Sequence, residues 1–174
     1  EILRKKSLNV EKIDKDLQKL MDDMLETMYA APGIGLAAIQ VGVPKRVIVL
    51  DIGLRNESED NNNEKQAVKK NPMYFVNPEI ITKSINNSTY EEGCLSVPGQ
   101  FAEIERPDKC HIKYLNYYGE PKELVAEGML ATCIQHEIDH LEGILFIDYL
   151  SKLKKTMIIK KLSKQKKELE RIVV

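Results

Sequence analysis

Two histidines four residues apart with a glutamate between them, His136-Glu137-Ile138-Asp139-His140, constrain this 174-residue chain more than any other stretch. Positions i and i+4 share one face of an α-helix, so both imidazoles converge on one point and the glutamate lies beside it. A helix here must also pack. At about 100° per residue, Leu130, Ile134, Ile138, Leu141 and Leu145 form one stripe, while His136 and His140 fall roughly opposite. Met129 to about Leu145 therefore reads as a helix with an apolar face for packing and a separate face for a metal site.

Two imidazoles leave a metal site incomplete, so a third ligand is needed. Three cysteines are too few for a disulfide framework and point to a reducing compartment. Cys133 lies on the histidine side of the same helix, but three ligands from one helix would span about 10 Å of rise, too far for a short side chain. Cys110 sits in a strand-like run beside His111, with no turn to aim it. Cys94, in Glu91-Glu92-Gly93-Cys94-Leu95-Ser96, follows a glycine that permits a sharp turn and is the best candidate; a small buried hydrophobe is its plain alternative. A third segment, Gly33-Ile34-Gly35-Leu36-Ala37-Ala38-Ile39-Gln40, combines small residues that allow close approach with a Gln that needs a hydrogen-bond partner. It is no phosphate loop, because no Gly-Lys-Ser/Thr follows.

The remaining chain reads as one α+β domain over 1–174. Val10, Ile13, Leu17, Leu20, Met21, Met24, Leu25 and Met28 recur at helical steps and should stop before Pro32. Arg46–Leu50, Met73–Ile81, Ile104–Leu115 and Glu123–Ala126 read as strands, with a turn at Asn116–Gly119. Residues 56–71 are polar, rich in asparagine and without periodicity, the pattern of a mobile loop insertion. A last amphipathic helix over 150–174 spaces Leu153, Met157, Leu162, Leu169 and Ile172, and from Lys152 to Arg171 it carries eight Lys and one Arg against two Glu. Overall, 26 basic and 27 acidic side chains nearly cancel, so charge gives no reason to expect nucleic-acid binding. No apolar run approaches the roughly 20 residues of a membrane span. The order of elements favours mixed or antiparallel sheets packed around the central H-E-x-x-H helix, with helices at both ends.

Taken together, the three segments resemble the peptide deformylase family, whose G-x-G-L-A-A-x-Q, E-G-C-L-S and Q-H-E-x-D-H-L-x-G motifs stand here as Gly33–Gln40, Glu92–Ser96 and Gln135–Gly143. The resemblance extends to the first helix and to Leu145-Phe146-Ile147-Asp148-Tyr149-Leu150, and it agrees with a trimmed N-terminus, since the chain begins at Glu1. It implies removal of the N-formyl group from the initiator methionine of new polypeptides, with release of formate. It also implies that Cys94, His136 and His140 hold one divalent ion whose bound water, made acidic, supplies a hydroxide nucleophile. By the same resemblance Glu137 acts as general base and then acid, and the Gln40 amide and Leu95 N–H stabilise the charge on the formyl oxygen. Ile34, Gly35, Glu92, Gly93, Thr132 and Cys133 would border the methionine pocket. A thiolate with two imidazoles suits zinc by softness; the resemblance implies Fe(II), with zinc, cobalt or nickel as substitutes.

Phe101 stands where some bacterial members carry Arg. The abundance of Lys, Asn and Ile points to an AT-rich genome, and with it to a plastid, apicoplast or mitochondrion of a eukaryote ahead of a bacterial cytoplasm. The basic C-terminal helix reads first as a solvated face, with transient electrostatic docking on the ribosome as its functional alternative. The rival readings are a zinc endopeptidase, which would lack the cysteine ligand, and a metal-stapled binding module, which would not need Glu137 or Gln40.

Overall fold

The computed structural model describes residues 1–53 and 69–172, and side chains as far as 169. In chain order the elements are helix α1 (Lys15–Ala30), strands β1 (Gly35–Ala37), β2 (Val47–Leu50), β3 (Met73–Lys83), β4 (Asn87–Cys94), β5 (Val97–Pro107), β6 (Lys109–Leu115) and β7 (Pro121–Glu127), then helices α2 (Gly128–Leu141) and α3 (Lys152–Ile172). One-turn 3-10 helices at Ile2–Arg4, Ala38–Val41 and Phe146–Tyr149 link them. Of the loop insertion expected over 56–71, residues 56–68 lie outside the described residues.

Strand β2 explains the architecture. All four of its residues are buried, so both its faces must be covered. Val47 and Val49 pack with Leu17, Met21, Met24 and Met28 of α1, while Ile48 and Leu50 pack with Ala131, Ile134, Ile138 and Leu141 of α2. The sheet that α1 and α2 sandwich has the order β1-β2-β3-β6-β7, antiparallel throughout, and β4 with β5 forms a separate hairpin. A third cluster joins that hairpin, through Val97 and Ile104, to Leu145, Phe146 and Ile147. The α+β architecture with a buried H-E-x-x-H helix and helices at both ends is thus the one the sequence led us to expect.

Four local expectations are corrected. The first stripe begins too early: Asp14 caps α1 by accepting from the Leu17 N–H at 2.9 Å, and Val10 lies in extended chain whose N–H and C=O are both bound by the Asn77 side chain. Asn77 itself takes a positive φ of 49° at a break in β3 register, just before Pro78, which has no N–H to lose. The Ile104–Leu115 run is two strands in different sheets, divided at Asp108 because Pro107 cannot donate to a continuing ladder. In α3 the packed residues are Ile158 and Leu162, whereas Leu153, Met157 and Leu169 are exposed. Finally, the H-E-x-x-H helix is buried on its histidine side as well as on its apolar stripe, and Leu145 lies beyond its end. Gly143 makes that end: its φ is +76°, and a side chain there would strike the backbone of Arg4. Among the described residues no helix is long and apolar enough to cross a membrane.

Candidate active site

Cys94 is the last residue of β4, and a two-residue turn at Leu95–Ser96 separates it from β5. Gly93 pairs with Phe101 but Cys94 with Val97, so β5 spends Pro98, Gly99 and Gln100 on a bulge, with Gly99 at φ +67°. The bulge brings the Cys94 sulfur under α2, 3.3 Å from His140 Nε2. The donor atoms of Cys94, His136 and His140 all lie within 4.8 Å of one another. Around a tetrahedral ion with ordinary Zn–S and Zn–N lengths, such donors would be separated by about 3.4–3.6 Å. A soft thiolate, two imidazoles and this spacing fit a divalent transition metal.

A buried ion-pair network backs the cluster. Glu92 Oε2 lies 2.8 Å from His136 Nδ1, which leaves Nε2 of that ring for the cluster. Arg106 binds Glu92 twice, through Nε at 2.6 Å and Nη2 at 3.0 Å, and binds Asp139 through Nη1 at 2.7 Å. Burial alone would raise Glu92, but its bonds to His136 and Arg106 hold it below the usual carboxylate range. His136 shows the same balance: burial opposes its charge, yet contacts with Cys94 and Glu92 carry it up to about 10. Burial, with the charges on His136 and Arg106, pulls His140 down to about 3.

Glu137 lies beside the cluster, 5% exposed, and its Oε2 has no hydrogen-bond partner among the described residues. Burial pushes its pKa to about 7, against the lowering influence of His136. Gly35 makes room for this carboxylate, since a Cβ there would collide with Glu137 Oε1 and with Leu50. Gln40 is held at both ends of its amide. Oε1 accepts from the Ala37 N–H at 2.9 Å, while Nε2 donates to Ser96 Oγ at 3.0 Å and points at the Cys94 sulfur, 3.5 Å away.

These groups open onto a cavity of about 490 Å³, within the range of small-ligand pockets. Ile34, Gly35, Gln40, Glu92, Gly93, Cys94, Leu95, Thr132, Cys133, His136 and Glu137 all line it, and His140 sits behind them, 1% exposed. Burial pushes the Cys133 thiol up to about 12, so this wall residue stays a neutral apolar group. The sequence reading missed Tyr90, Gln100 and Met129 as lining residues. Period-two spacing back from Cys94 and Glu92 would have found Tyr90, and a step of three back from Thr132 would have found Met129. Gln100 comes in through the bulge, for which Pro98-Gly99 within a strand run is the available signal.

The family described as Polypeptide deformylase matches residues 1–156. The chain is 62% identical over 173 residues to a peptide deformylase of Pelagibacter ubique, covering 99% of this chain and 93% of that one. It is 58% identical over 165 residues to one of Phenylobacterium zucineum, covering 95% and 91%. Among solved structures, peptide deformylase from Ehrlichia chaffeensis in complex with actinonin superposes with a TM-score of 0.83 at 44% identity, covering 94% of this chain and 91% of that one. These relatives are bacterial, which corrects the preference for a eukaryotic organelle: Lys-, Asn- and Ile-rich composition reports nucleotide bias, and bacteria share that bias. The chain belongs to the peptide deformylase family, and its activity is the metal-dependent removal of the N-formyl group from newly made polypeptides.

Proposed function

We propose that Cys94, His136 and His140 hold the divalent ion and that Glu137 moves the proton of the reaction. The observation that carries this reading is the convergence of those three donor atoms within 4.8 Å beside a buried carboxylate oxygen that has no hydrogen-bond partner among the described residues. A divalent ion bound there supplies Lewis-acid polarisation and lowers the pKa of a water. Glu137 takes the water proton and returns it to the leaving amine, as base and then acid. The Gln40 amide, fixed by Ala37 and Ser96, and the Leu95 N–H at the hairpin turn face the charge that develops on the formyl oxygen. Ile34, Gly35, Glu92, Gly93, Thr132 and Cys133 border the space for the methionine side chain and the peptide behind it.

The assay is formate release from a formyl-Met tripeptide by anaerobic iron- or cobalt-loaded protein, beside a Glu137→Ala control. Rapid release that disappears in the control while metal stays bound supports these roles. Full metal occupancy with no release would remove them, and unformylated internal peptides would then be the substrates to try.

Within this reading Fe(II) is the native metal, with zinc, cobalt or nickel as substitutes. A thiolate ligand beside redox-active iron makes the activity decay in air; equal decay of anaerobic and aerated samples would contradict the iron assignment. The whole chain acts as one catalytic domain in a bacterial cytoplasm. Its basic α3 helix contacts the ribosome as the formylated peptide emerges, and exposed Leu153, Met157 and Leu169 among its lysines support that role. Deleting the residues after Leu153 should weaken ribosome binding and flatten its salt dependence; unchanged binding would withdraw the contact.

A further inference from the structure

Resting on the reading of His136 as a ligand, we infer that the one-turn helix Phe146–Tyr149 holds this histidine in place, with Tyr149 and Asp139 as positioning residues that act through Arg106 and Glu92. The one-turn helix reaches His136 by two routes. Phe146 stacks on the imidazole, with ring centres 6.2 Å apart and planes 24° from parallel. By the second route, the Tyr149 hydroxyl donates to Asp139 Oδ2 at 2.8 Å, and the same oxygen accepts from Arg106 Nη1 at 2.7 Å. The Arg106 guanidinium also lies over the Tyr149 ring, 4.6 Å from its centre.

Charge and geometry give the second route its effect. Arg106 is 4% exposed and splits its donors between Glu92 on one side and Asp139 on the other. Glu92 accepts from Arg106 with both oxygens and has His136 Nδ1 at one of them. Removing Asp139 leaves the guanidinium tied on one side only, free to swing and to draw more of the Glu92 charge. Glu92 then becomes a poorer acceptor for the ring, and the imidazole becomes both a weaker and a less well-oriented ligand. Removing only the Tyr149 hydroxyl leaves the ring over Arg106 but unfixes Asp139. Phe146 restrains the plane of the imidazole, and Glu92 restrains its rotation within that plane.

The experiment measures Co²⁺ affinity of the full chain by chelator competition, with the cobalt absorption bands as reporter of ligand geometry. Loss of an outer-shell partner of a metal-bound histidine typically weakens binding about 10–100-fold. Asp139→Asn should fall in that range with shifted bands, Tyr149→Phe should weaken binding severalfold, and Asp139→Glu should recover part of the loss. If Asp139→Asn does not fold, Tyr149→Phe decides alone, because it deletes one hydroxyl from a half-exposed side chain. Folded Tyr149→Phe protein with wild-type affinity and bands, whatever its melting temperature, would overturn the inference. A His136→Ala control separates the two failures: wild-type Co²⁺ binding there would strike down the ligand assignment itself, whereas lost binding there beside unchanged Tyr149→Phe would strike down only the positioning role.

Discussion

At the scale of single residues, the site depends on what is missing as much as on what is present. Gly35 has no side chain where the Glu137 carboxylate and Leu50 need the space. Gly35→Ala should therefore displace the carboxylate and overpack the sheet, costing about 1–3 kcal/mol of stability by urea titration. The same change should cut formate release in the metal-loaded protein; wild-type activity would show that Glu137 can shift without loss. Gln40 is held from both ends of its amide, so its Nε2 keeps one direction. If it stabilises the oxyanion, Gln40→Ala should lower kcat by about 10²–10³. A change confined to KM would assign it to binding instead.

Among the elements, the one-turn helix Phe146–Tyr149 is pinned by a charged cap. Asp148 accepts from Arg4, from the Leu145 N–H at 2.9 Å and from Lys155. Partial burial opposes its ionisation, but those bonds outweigh burial and hold its carboxyl well below the ordinary 3.8. A carboxylate depressed on folding contributes stability that is fully present above its unfolded pKa and is lost as pH falls through 3.8 toward the lower folded value. The stability gap between wild type and Asp148→Asn should thus be widest above about pH 5 and should close on acidification. Unfolding by urea between pH 3 and 7 measures it, and a gap that grows toward acid would reverse the assignment.

For the whole molecule, the three donors come from two parts of the fold, Cys94 from the β4–β5 hairpin and both histidines from α2. An ion bound by all three staples the hairpin to the helix in the folded state only. Metal at a hundred times its Kd should add about 2.7 kcal/mol to unfolding, and chelation should remove it. His140→Ala should be indifferent to the chelator. Equal stability of chelated and metal-loaded wild type would mean that the three side chains do not hold the ion.

How much of this was readable in sequence depended on the range of the interaction. Local periodicity determined α2, most of α1 and β2, because helix and strand faces repeat every few residues. Spacing within one helix placed His136, Glu137 and His140 together for the same reason. Cys94, Gln40 and Gly35 could be nominated from glycines and motifs, but only the tertiary structure brings them to one place, from chain positions separated by 54 residues between Gln40 and Cys94 and 46 between Cys94 and His140. The break at Asp108, the bulge over Pro98–Gln100 and the packed side of α3 were also settled there, since each follows from which surface a segment meets. The sequence alone determined which chemical groups are present and which of them share a helix face. The tertiary structure decided which distant groups meet, because contacts between remote segments follow from how whole faces pack, and no local spacing records that.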